Sequence, residues 1–327
     1  MNLVRHLSTT VLAVALASAG NGGEAWAQSK QLEQPAVDKI VQLTAQDHST
    51  ILFTLGGYRI GYSRSGRVQW IVPNDKPGLR ECSWPHPALS HDGLRVAFVT
   101  MSDDPKHCVI RIRDMETGKE EALVKTSGDP GEISWSWDDQ DIVFFDHGFT
   151  AVSVQAGIRQ APMPSPLERP SGKNYEHSVW DSMQWLHNDK DLVVTLDTEI
   201  PTKEAGTYIQ GSDVLLIAQA ETRVLDMGSG AAVSPSSDRI VYFGTKGVMS
   251  ISPAAAEPTV LAKAPSSPLF SKEELFGTPV WSPDGNQLFI GTIVSENGRD
   301  KIYLLDVASG RYSRFLSHTS IAIRAWR

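Results

Sequence analysis

The chain is poor in cysteine and has no surplus of positive charge. Its 327 residues include two cysteines, and the 38 Asp and Glu outnumber the 30 Lys and Arg, which gives a formal net charge of −8. Because a nucleic-acid-binding surface needs excess Lys and Arg to neutralise phosphates, this balance argues against nucleic acid as a partner. The hydrophobic content of 41% is ordinary for a folded protein and argues against a disordered chain.

Long apolar runs are also scarce, and the one conspicuous example lies at the N-terminus. Residues 7–19 are small and apolar, Arg5 and His6 precede them, and Ala25-Trp26-Ala27 follows. This pattern is typical of a secretory signal peptide, here residues 1–27, with cleavage before Gln28 or alternatively after Ala19. The run is shorter than the ~20 residues that span a bilayer, and a buried helix is the other interpretation. We therefore expect a periplasmic or secreted protein without a transmembrane helix after cleavage.

The expected export also bears on the two cysteines, Cys82 and Cys108. An exported chain with an even number of cysteines can form a disulfide in an oxidising compartment. A bridge between Cys82 and Cys108 is therefore expected, and two separate thiols are the alternative.

Glycine, proline and tryptophan are well represented, with 26, 19 and 9 residues, which favours many turns and short strands. One unit recurs along the chain: a short apolar strand, a tight turn with Asp, Asn or Ser, and a second apolar strand. Its clearest copy is residues 280–290, Val-Trp-Ser-Pro-Asp-Gly followed by Leu-Phe-Ile after two residues. The polar turn residue falls at positions 47, 92, 138, 188, 236 and 284. Such regular spacing predicts a repeat architecture.

Each repeat has the content of one propeller blade. Asp at the turn can hydrogen-bond the backbone two residues on, so Asp47, Asp92, Asp138 and Asp284 are interpreted as turn caps. Residues 114–118 and 306–310 predict a second hairpin turn, which makes four strands in a unit. The first unit lacks an inner strand, and residues 321–326 have that pattern at the other end of the chain. We predict an all-β six-bladed β-propeller with four-stranded antiparallel blades, closed by the C-terminal strand and formed by residues 28–327 as a single domain.

These units resemble the TolB-like, WD-repeat-like propeller family, most clearly through residues 281–285 (Trp-Ser-Pro-Asp-Gly). The resemblance covers about residues 40–327. It implies the fold but little about function, since that family includes periplasmic TolB, propellers of prolyl-oligopeptidase-type enzymes and oligogalacturonate lyases. TolB carries an α/β domain before its propeller, and we expect that domain to be absent here. The chain also lacks a Gly-x-Ser-x-Gly element, which argues against a peptidase.

Strand order divides the loops between two faces. Turns with the repeated Asp lie on the face that we call the lower face. Connections between blades, and those between the second and third strands of a blade, lie on the upper face. Four long connections are assigned to the upper face: residues 73–87, 162–179, 197–211 and 263–277. Long loops on a rigid scaffold are common binding surfaces. The inner-strand tryptophans are expected to pack between blades rather than bind ligands: Trp135, Trp185, Trp281 and Trp326.

Upper-face residues supply the candidate site. Mixed charge together with aromatic side chains suits a protein or peptide partner, and we assign this role to Arg80, Glu81, Trp84, Lys106, Tyr175, Glu176 and Trp180. Catalytic residues and a cofactor are not assigned. The leading hypothesis is a monomeric, non-catalytic binding or scaffold module of the cell envelope, whose partner is an envelope protein or peptide.

The alternative is a metal-dependent polysaccharide lyase or related carbohydrate-active enzyme. The resemblance to oligogalacturonate lyases implies a divalent transition metal held by histidines on the upper face, and the candidates are His86, His147, His177 and His318. Imidazole suits such metals. No His-x-His or His-x-x-x-His pair fixes two ligands together in this sequence.

Overall fold

The computed structural model describes residues 22–56, 59–71, 82, 86–104, 106–146, 149–155, 157–159, 180–201, 208–218, 222–236, 239–255, 257–264, 274–293 and 300–327. Within these residues the chain forms one helix and 24 strands, and the strands make six four-stranded sheets. Every sheet is antiparallel between neighbours. The predicted six-bladed β-propeller is therefore confirmed.

In blades 2 to 6 the innermost strand comes first in the chain and the outermost strand comes last, whereas the innermost strand of blade 1 is the C-terminal one. Blade 1 contains, from the inside, β24 (Ile321–Trp326), β1 (Thr50–Leu55), β2 (Arg59–Arg64) and β3 (Arg67–Ile71). Blade 2 contains β4 (Ala88–Leu89), β5 (Arg95–Met101), β6 (Cys108–Asp114) and β7 (Glu120–Thr126). Blade 3 contains β8 (Ile133–Trp135), β9 (Asp141–Phe145), β10 (Phe149–Ser153) and β11 (Gly157–Arg159).

The other three blades follow the same order. Blade 4 contains β12 (Trp180–Trp185), β13 (Leu192–Pro201), β14 (Tyr208–Ile217) and β15 (Thr222–Met227). Blade 5 contains β16 (Ser229–Val233), β17 (Ile240–Gly244), β18 (Gly247–Ile251) and β19 (Thr259–Ala262). Blade 6 contains β20 (Glu274–Trp281), β21 (Gln287–Ile293), β22 (Asp300–Asp306) and β23 (Arg311–Thr319).

The two ends of the chain meet in blade 1. Strand β24 pairs antiparallel with β1, from Ile51 opposite Trp326 to Leu55 opposite Ile321. A reciprocal pair of backbone hydrogen bonds extends this ladder: the N–H of Thr50 donates to the carbonyl of Arg327 at 2.6 Å, and the N–H of Arg327 donates to the carbonyl of Thr50 at 2.8 Å. The expected ring closure by the C-terminal strand is confirmed, and it gives the edge of β1 a partner.

A helix that the repeat analysis did not predict precedes β1. Helix α1 (Gly22–Asp47) is the one helix among the described residues, and it is not long and apolar enough to cross a membrane. Val37 and Ile40 are buried in a cluster that includes Phe53 of blade 1 and Phe315 of blade 6. Lys39 also donates a hydrogen bond to the carbonyl of Phe315. The helix therefore fastens the seam at which the ring closes.

Helix α1 overlaps the predicted leader, because residues 22–27 belong to both. The rest of the predicted leader, residues 1–21, lies outside the described residues. The helical pattern is present in the sequence: Val37, Ile40, Val41 and Thr44 follow the i, i+3, i+4, i+7 spacing of one helix face. The repeated strand–turn–strand unit did not predict this helix, since a helix has no place in a blade.

Lower-face turns have the predicted caps. One carboxylate oxygen of Asp92 accepts the Leu94 N–H at 2.9 Å, and the same bond, two residues on, is made by Asp47, Asp138 and Asp284. Gly93 and Gly285 follow two of these residues with φ of 72° and 70°. Blades 3 and 4 place Asp139 and Asp189 there instead, at φ of 58° and 50°, which Asp tolerates better than most residues.

These two substitutes connect neighbouring blades. Asp139 accepts the backbone N–H groups of His91 and Asp92 in the turn of blade 2, at 2.7 and 2.9 Å. Asp189 accepts the N–H of Trp137 in the turn of blade 3 at 2.6 Å. Each carboxylate thus holds the turn of the preceding blade, a role that glycine cannot supply.

Inner-strand tryptophans pack between blades, as predicted. Trp135, Trp185, Trp281 and Trp326 are each at least nine-tenths buried, with 2%, 7%, 3% and 3% exposure. The indole N–H of Trp135 donates to the carbonyl of Ala88 in blade 2, and that of Trp281 donates to Ala232 in blade 5. These large side chains therefore pack between blades, and in Trp135 and Trp281 the polar atom is satisfied by the neighbouring inner strand.

Two of the long upper connections are shorter than predicted. Strands β13 and β14 extend the hairpin of blade 4, so that Asp197–Pro201 pairs with Tyr208–Ser212 where a loop over residues 197–211 was expected. Strand β20 likewise includes Glu274 to Gly277, and Glu274 pairs with Ile293. In blade 4 the cross-strand pairing extends the strands through polar residues such as Asp197 and Glu199, which the apolar pattern does not mark.

Removal of residues 321–327 tests the closure of the ring. The truncation exposes the edge of β1 and removes Trp326, whose ring lies 4.6 Å from that of Phe289. We expect the truncated protein to aggregate or to melt far below the parent, because an open apolar edge promotes association. Thermal unfolding and size-exclusion chromatography measure this. A monomeric truncated protein with an unchanged melting temperature would contradict the closure.

Candidate upper-mouth binding site

A cavity of about 320 Å³ occupies the centre of the ring. All six inner strands contribute to its wall. Apolar side chains form part of the lining, among them Ile133, Met183, Val280, Ile302 and Ile323. The ionisable side chains that line it within the described residues are His91, Glu132, Lys301, Arg324 and Arg327. We call this cavity the central channel.

The central channel is not symmetric. Ser182 and Gln184 of β12 accept the backbone N–H groups of Ala231 and Val233 in β16, both at 2.9 Å. On the other side of β16, a Cβ atom on Gly230 would lie 2.1 Å from the carbonyl oxygen of Gly277 in β20. Glycine at 230 is therefore required, and the backbones of blades 4, 5 and 6 approach closely. The wider part of the lumen lies beside blades 1, 2 and 3.

Four charged side chains gather at the upper end of this wider part. His86 lies just before β4, Glu132 just before β8, Asp129 in the connection between those blades, and Arg324 within β24. Nε2 of His86 is 3.3 Å from Asp129 Oδ1, and its Nδ1 is 3.7 Å from Glu132 Oε1. Nη1 of Arg324 is 3.4 Å from the same Glu132 oxygen. We call this cluster the upper mouth; its members come from three blades.

The charges of the upper mouth reinforce one another. Burial lowers the pKa of His86, but the carboxylates of Asp129 and Glu132, which lie 3.3 and 3.7 Å from its ring nitrogens, outweigh burial and raise that pKa to about 9. Burial opposes ionisation of Glu132, yet His86 and Arg324 hold the pKa of this carboxyl below its usual value. His86 is thus an imidazolium at neutral pH.

The lower end of the central channel has a different character. The ring of Trp137 lies between those of His91 and His187, with centroids 4.0 and 3.4 Å apart. We call these three residues the lower ring stack. Nδ1 of His91 is 3.3 Å from Asp139 Oδ1, and the indole N–H of Trp137 donates to the carbonyl of Trp185. The turns of blades 2, 3 and 4 are joined through this stack.

A disulfide fixes the connection into blade 2. Cys82 and Cys108 are bonded, with Cα atoms 5.7 Å apart and both residues buried. Cys108 is the first residue of β6, at the upper face, which agrees with the assignment of loops to faces. The bridge therefore ties the residues before β4 to the third strand of the same blade.

The structure describes few of the residues proposed for partner binding. Lys106 is exposed on the upper face between β5 and β6. Trp180 is the first residue of β12, where it pairs with Leu196. The others lie outside the described residues: Arg80, Glu81, Trp84, Tyr175 and Glu176.

The four candidate metal ligands are not brought together in the described part of the chain. His86 belongs to the upper mouth, His147 and His177 lie outside the described residues, and His318 lies in β23. Among the described residues, no group of three or more His, Cys, Asp or Glu side chains is arranged to hold a metal ion. His107 contacts the carbonyl of Thr126 and the carboxylate of Asp104.

Sequence reasoning missed Asp129, Glu132 and Arg324. A signal for Arg324 was available, since it interrupts the apolar alternation of residues 321–326. A charge inside a buried inner strand needs a polar or oppositely charged partner, which marks such a residue as worth attention. Glu132, which directly precedes the inner strand of blade 3, gives a weaker version of the same signal.

Comparison with known proteins identifies the fold alone. No family model and no curated protein matches the chain. Among solved structures, TolB from Acinetobacter baumannii is similar with a TM-score of 0.54 and 14% identity, over 85% of this chain and 66% of that one. This chain thus spans slightly less than two thirds of that protein's length. A chain of a nidogen/laminin complex has a TM-score of 0.55 and 12% identity, over 85% and 97%.

The charge cluster of the upper mouth predicts a pH dependence of stability. Since the pKa of His86 is raised from 6.5 to about 9, its contribution is complete below pH 6.5 and lost as pH rises through 9. The difference in unfolding free energy between the parent and His86→Gln should therefore be largest below pH 6.5 and shrink towards pH 9. Denaturant titrations across this range measure it.

The variant Asp129→Asn tests whether the neighbouring carboxylates cause the raised pKa of His86. It removes one of the two carboxylates that raise the pKa of His86. The pH range over which the His86 contribution disappears should then move down. A His86→Gln penalty that does not vary with pH would show that the ion pairs of the upper mouth are not formed.

Proposed function

We propose that this chain is an exported, non-catalytic binding or scaffold module of the cell envelope, and that the upper mouth holds a segment of a protein or peptide partner. The observation that carries the proposal is the upper mouth itself. Two carboxylates and two cations meet where an apolar-walled lumen begins. Glu132 and Arg324 keep 25% and 30% of their side chains exposed, so both can reach a ligand.

This combination suits a peptide better than a single small ion. A peptide segment presents backbone donors and acceptors together with apolar side chains, and the central channel offers partners for each. Ser134 and Thr278 are polar groups of the lining, and Ile133 and Met183 are apolar ones. Paired charges at the rim fix register and exclude wrong partners more than they add affinity. The nidogen/laminin complex shares this fold, and that likeness extends no further than the fold.

Export is supported by the sequence pattern of residues 1–27 and by the disulfide. A buried disulfide between Cys82 and Cys108 suits the oxidising conditions outside the cytoplasm, where such bonds form and persist. The mature chain is proposed to be periplasmic or secreted and monomeric.

Capture from an envelope extract tests the binding proposal. The protein is isolated from the periplasmic fraction, and its intact mass is compared with that of a chain beginning at Gln28. Immobilised protein should retain a partner, and Arg324→Gln or Lys106→Ala should weaken that retention several-fold. Loss of one charged contact typically costs about 1–3 kcal/mol when it is desolvated and less at a rim.

Lys119→Ala provides the matched control. Lys119 is an exposed lysine of the same blade as Lys106, but it follows the lower-face turn after Asp114. Its substitution should leave retention unchanged. Equal retention by all variants, or retention of nothing beyond what an inert column retains, would contradict the proposal.

The metal-dependent lyase remains the second candidate, on the upper-face histidines alone. Untagged protein, dialysed without chelator, should carry a divalent transition metal near one equivalent if this candidate is right, because a closed ligand set retains its ion. The binding-module proposal expects less than about 0.1 equivalent by elemental analysis. Substitution of His177 by Ala should lower any metal content, whereas His187→Ala on the lower face should not.

A further inference from the structure

The lower end of the central channel is rich in nitrogen donors. Arg327, which directly follows β24, lines the cavity together with His91, Trp137 and Trp185. The charge of Arg327 also reaches both imidazoles of the lower ring stack, since it lowers the pKa of His91 and of His187. Blades 1 to 4 therefore converge on one small volume.

Two of these donors have no acceptor within the described part of the chain. They are Nε of Arg327 and the indole Nε1 of Trp185, and both atoms are buried. The equivalent tryptophans of blades 3 and 6 donate to a carbonyl of the preceding inner strand, so the N–H of Trp185 departs from the pattern. Buried donors without partners are rare and costly, which makes their coincidence in one cavity informative.

Among the described residues, no carboxylate side chain forms an ion pair with Arg327. Burial lowers the pKa of Arg327 to about 10, and the one charge that opposes this is Asp139. The carboxylate of Asp139 already accepts the N–H groups of His91 and Asp92. Among the side chains that line the cavity in the described part of the chain, the single carboxylate is that of Glu132, which is engaged with Arg324 at the upper mouth. The lower end thus offers positive charge and N–H groups to an acceptor.

We propose that the lower end of the central channel is an oxyanion site, in which the carboxylate or phosphate group of a small ligand accepts hydrogen bonds from Arg327 and Trp185 beside the ring of His91. The apolar part of the ligand would lie against Met183 and Val233 in the lumen above. A cavity of about 320 Å³ is within the range of small-molecule sites. This inference is independent of partner binding at the upper mouth.

Titration of the full-length chain with inorganic phosphate and, separately, with acetate tests the site, with chloride at equal ionic strength as the reference. Either oxyanion should raise the melting temperature and shift the pKa of His91 upward in NMR titrations, because a bound anion favours the imidazolium. In the free protein burial lowers the pKa of His91 most, Arg327 lowers it further, and Asp139 and a backbone hydrogen bond with Ser136 raise it. His187 faces His91 across the ring of Trp137, and Asp189 faces His187. Binding should accordingly strengthen as pH falls.

Arg327→Gln should weaken oxyanion binding about tenfold or more, as expected for loss of a charge-assisted hydrogen bond. Trp185→Phe keeps the ring and removes the N–H, so a smaller, several-fold loss is expected. The matched control is Arg239→Gln, which removes a lower-face arginine that stacks on Trp281 and does not line the cavity. Melting temperatures in chloride establish that the variants are folded.

The outcomes separate clearly. Binding of phosphate alone or of acetate alone supports the site and identifies the ligand class. No effect of either anion beyond that of chloride, or an Arg327→Gln variant that binds as tightly as the parent, overturns it. Retention of a partner by the upper mouth is measured separately and does not alter this result.

Discussion

Pairing between β1 and β24 is the interaction on which the rest of the molecule depends. It joins residues from the two ends of the chain, and the apolar cluster around it contains Phe53, Phe289 and Trp326 as well as Ile40 of helix α1. Blade 6 has a neighbour on its far side only because this pairing exists. The same strand positions both arginines of the central channel, since Arg324 lies within β24 and Arg327 follows it. Closure of the ring and construction of the lumen are therefore one event.

The six blades have the same topology, but they contribute differently to the central channel. Blades 4, 5 and 6 approach through side-chain-to-backbone bonds and a glycine contact, which narrows that side of the lumen. Blades 1, 2 and 3 supply the charged groups of the upper mouth. On the lower face, Asp139 and Asp189 replace the turn glycine and connect each turn to the one before it. The positions at which the repeat departs from its consensus are thus those that shape the two ends of the channel.

The fold could be predicted because its information is repeated. Six degenerate copies of one turn, with Asp92, Asp138 and Asp284 in the capping position, outweigh the weakness of each copy. Features present once were harder to predict. Helix α1 has an ordinary amphipathic pattern. The first repeat lacks an inner strand, however, and because the C-terminal strand already supplied it, the residues before β1 were not assigned to any element.

The site was less predictable than the fold for a physical reason. Glu132, Asp129 and Arg324 are far apart in sequence and meet only because the ring brings blades 1, 2 and 3 together. The lower ring stack combines residues at the same position of three successive repeats, and such stacking across blades becomes visible only when the ring geometry is known. The turn caps, in contrast, act on residues two positions away, and their role could be inferred from the sequence.

Closure by the last strand also sets an order of events for the folding chain. Ser49, at the start of blade 1, bonds to Trp326 across 277 residues of sequence. Blade 1 must therefore wait, with the inner edge of β1 unpaired, until residues 321–327 have been synthesised. Contacts of such long range slow folding. The ring therefore closes last, after the strands of all six blades have been synthesised.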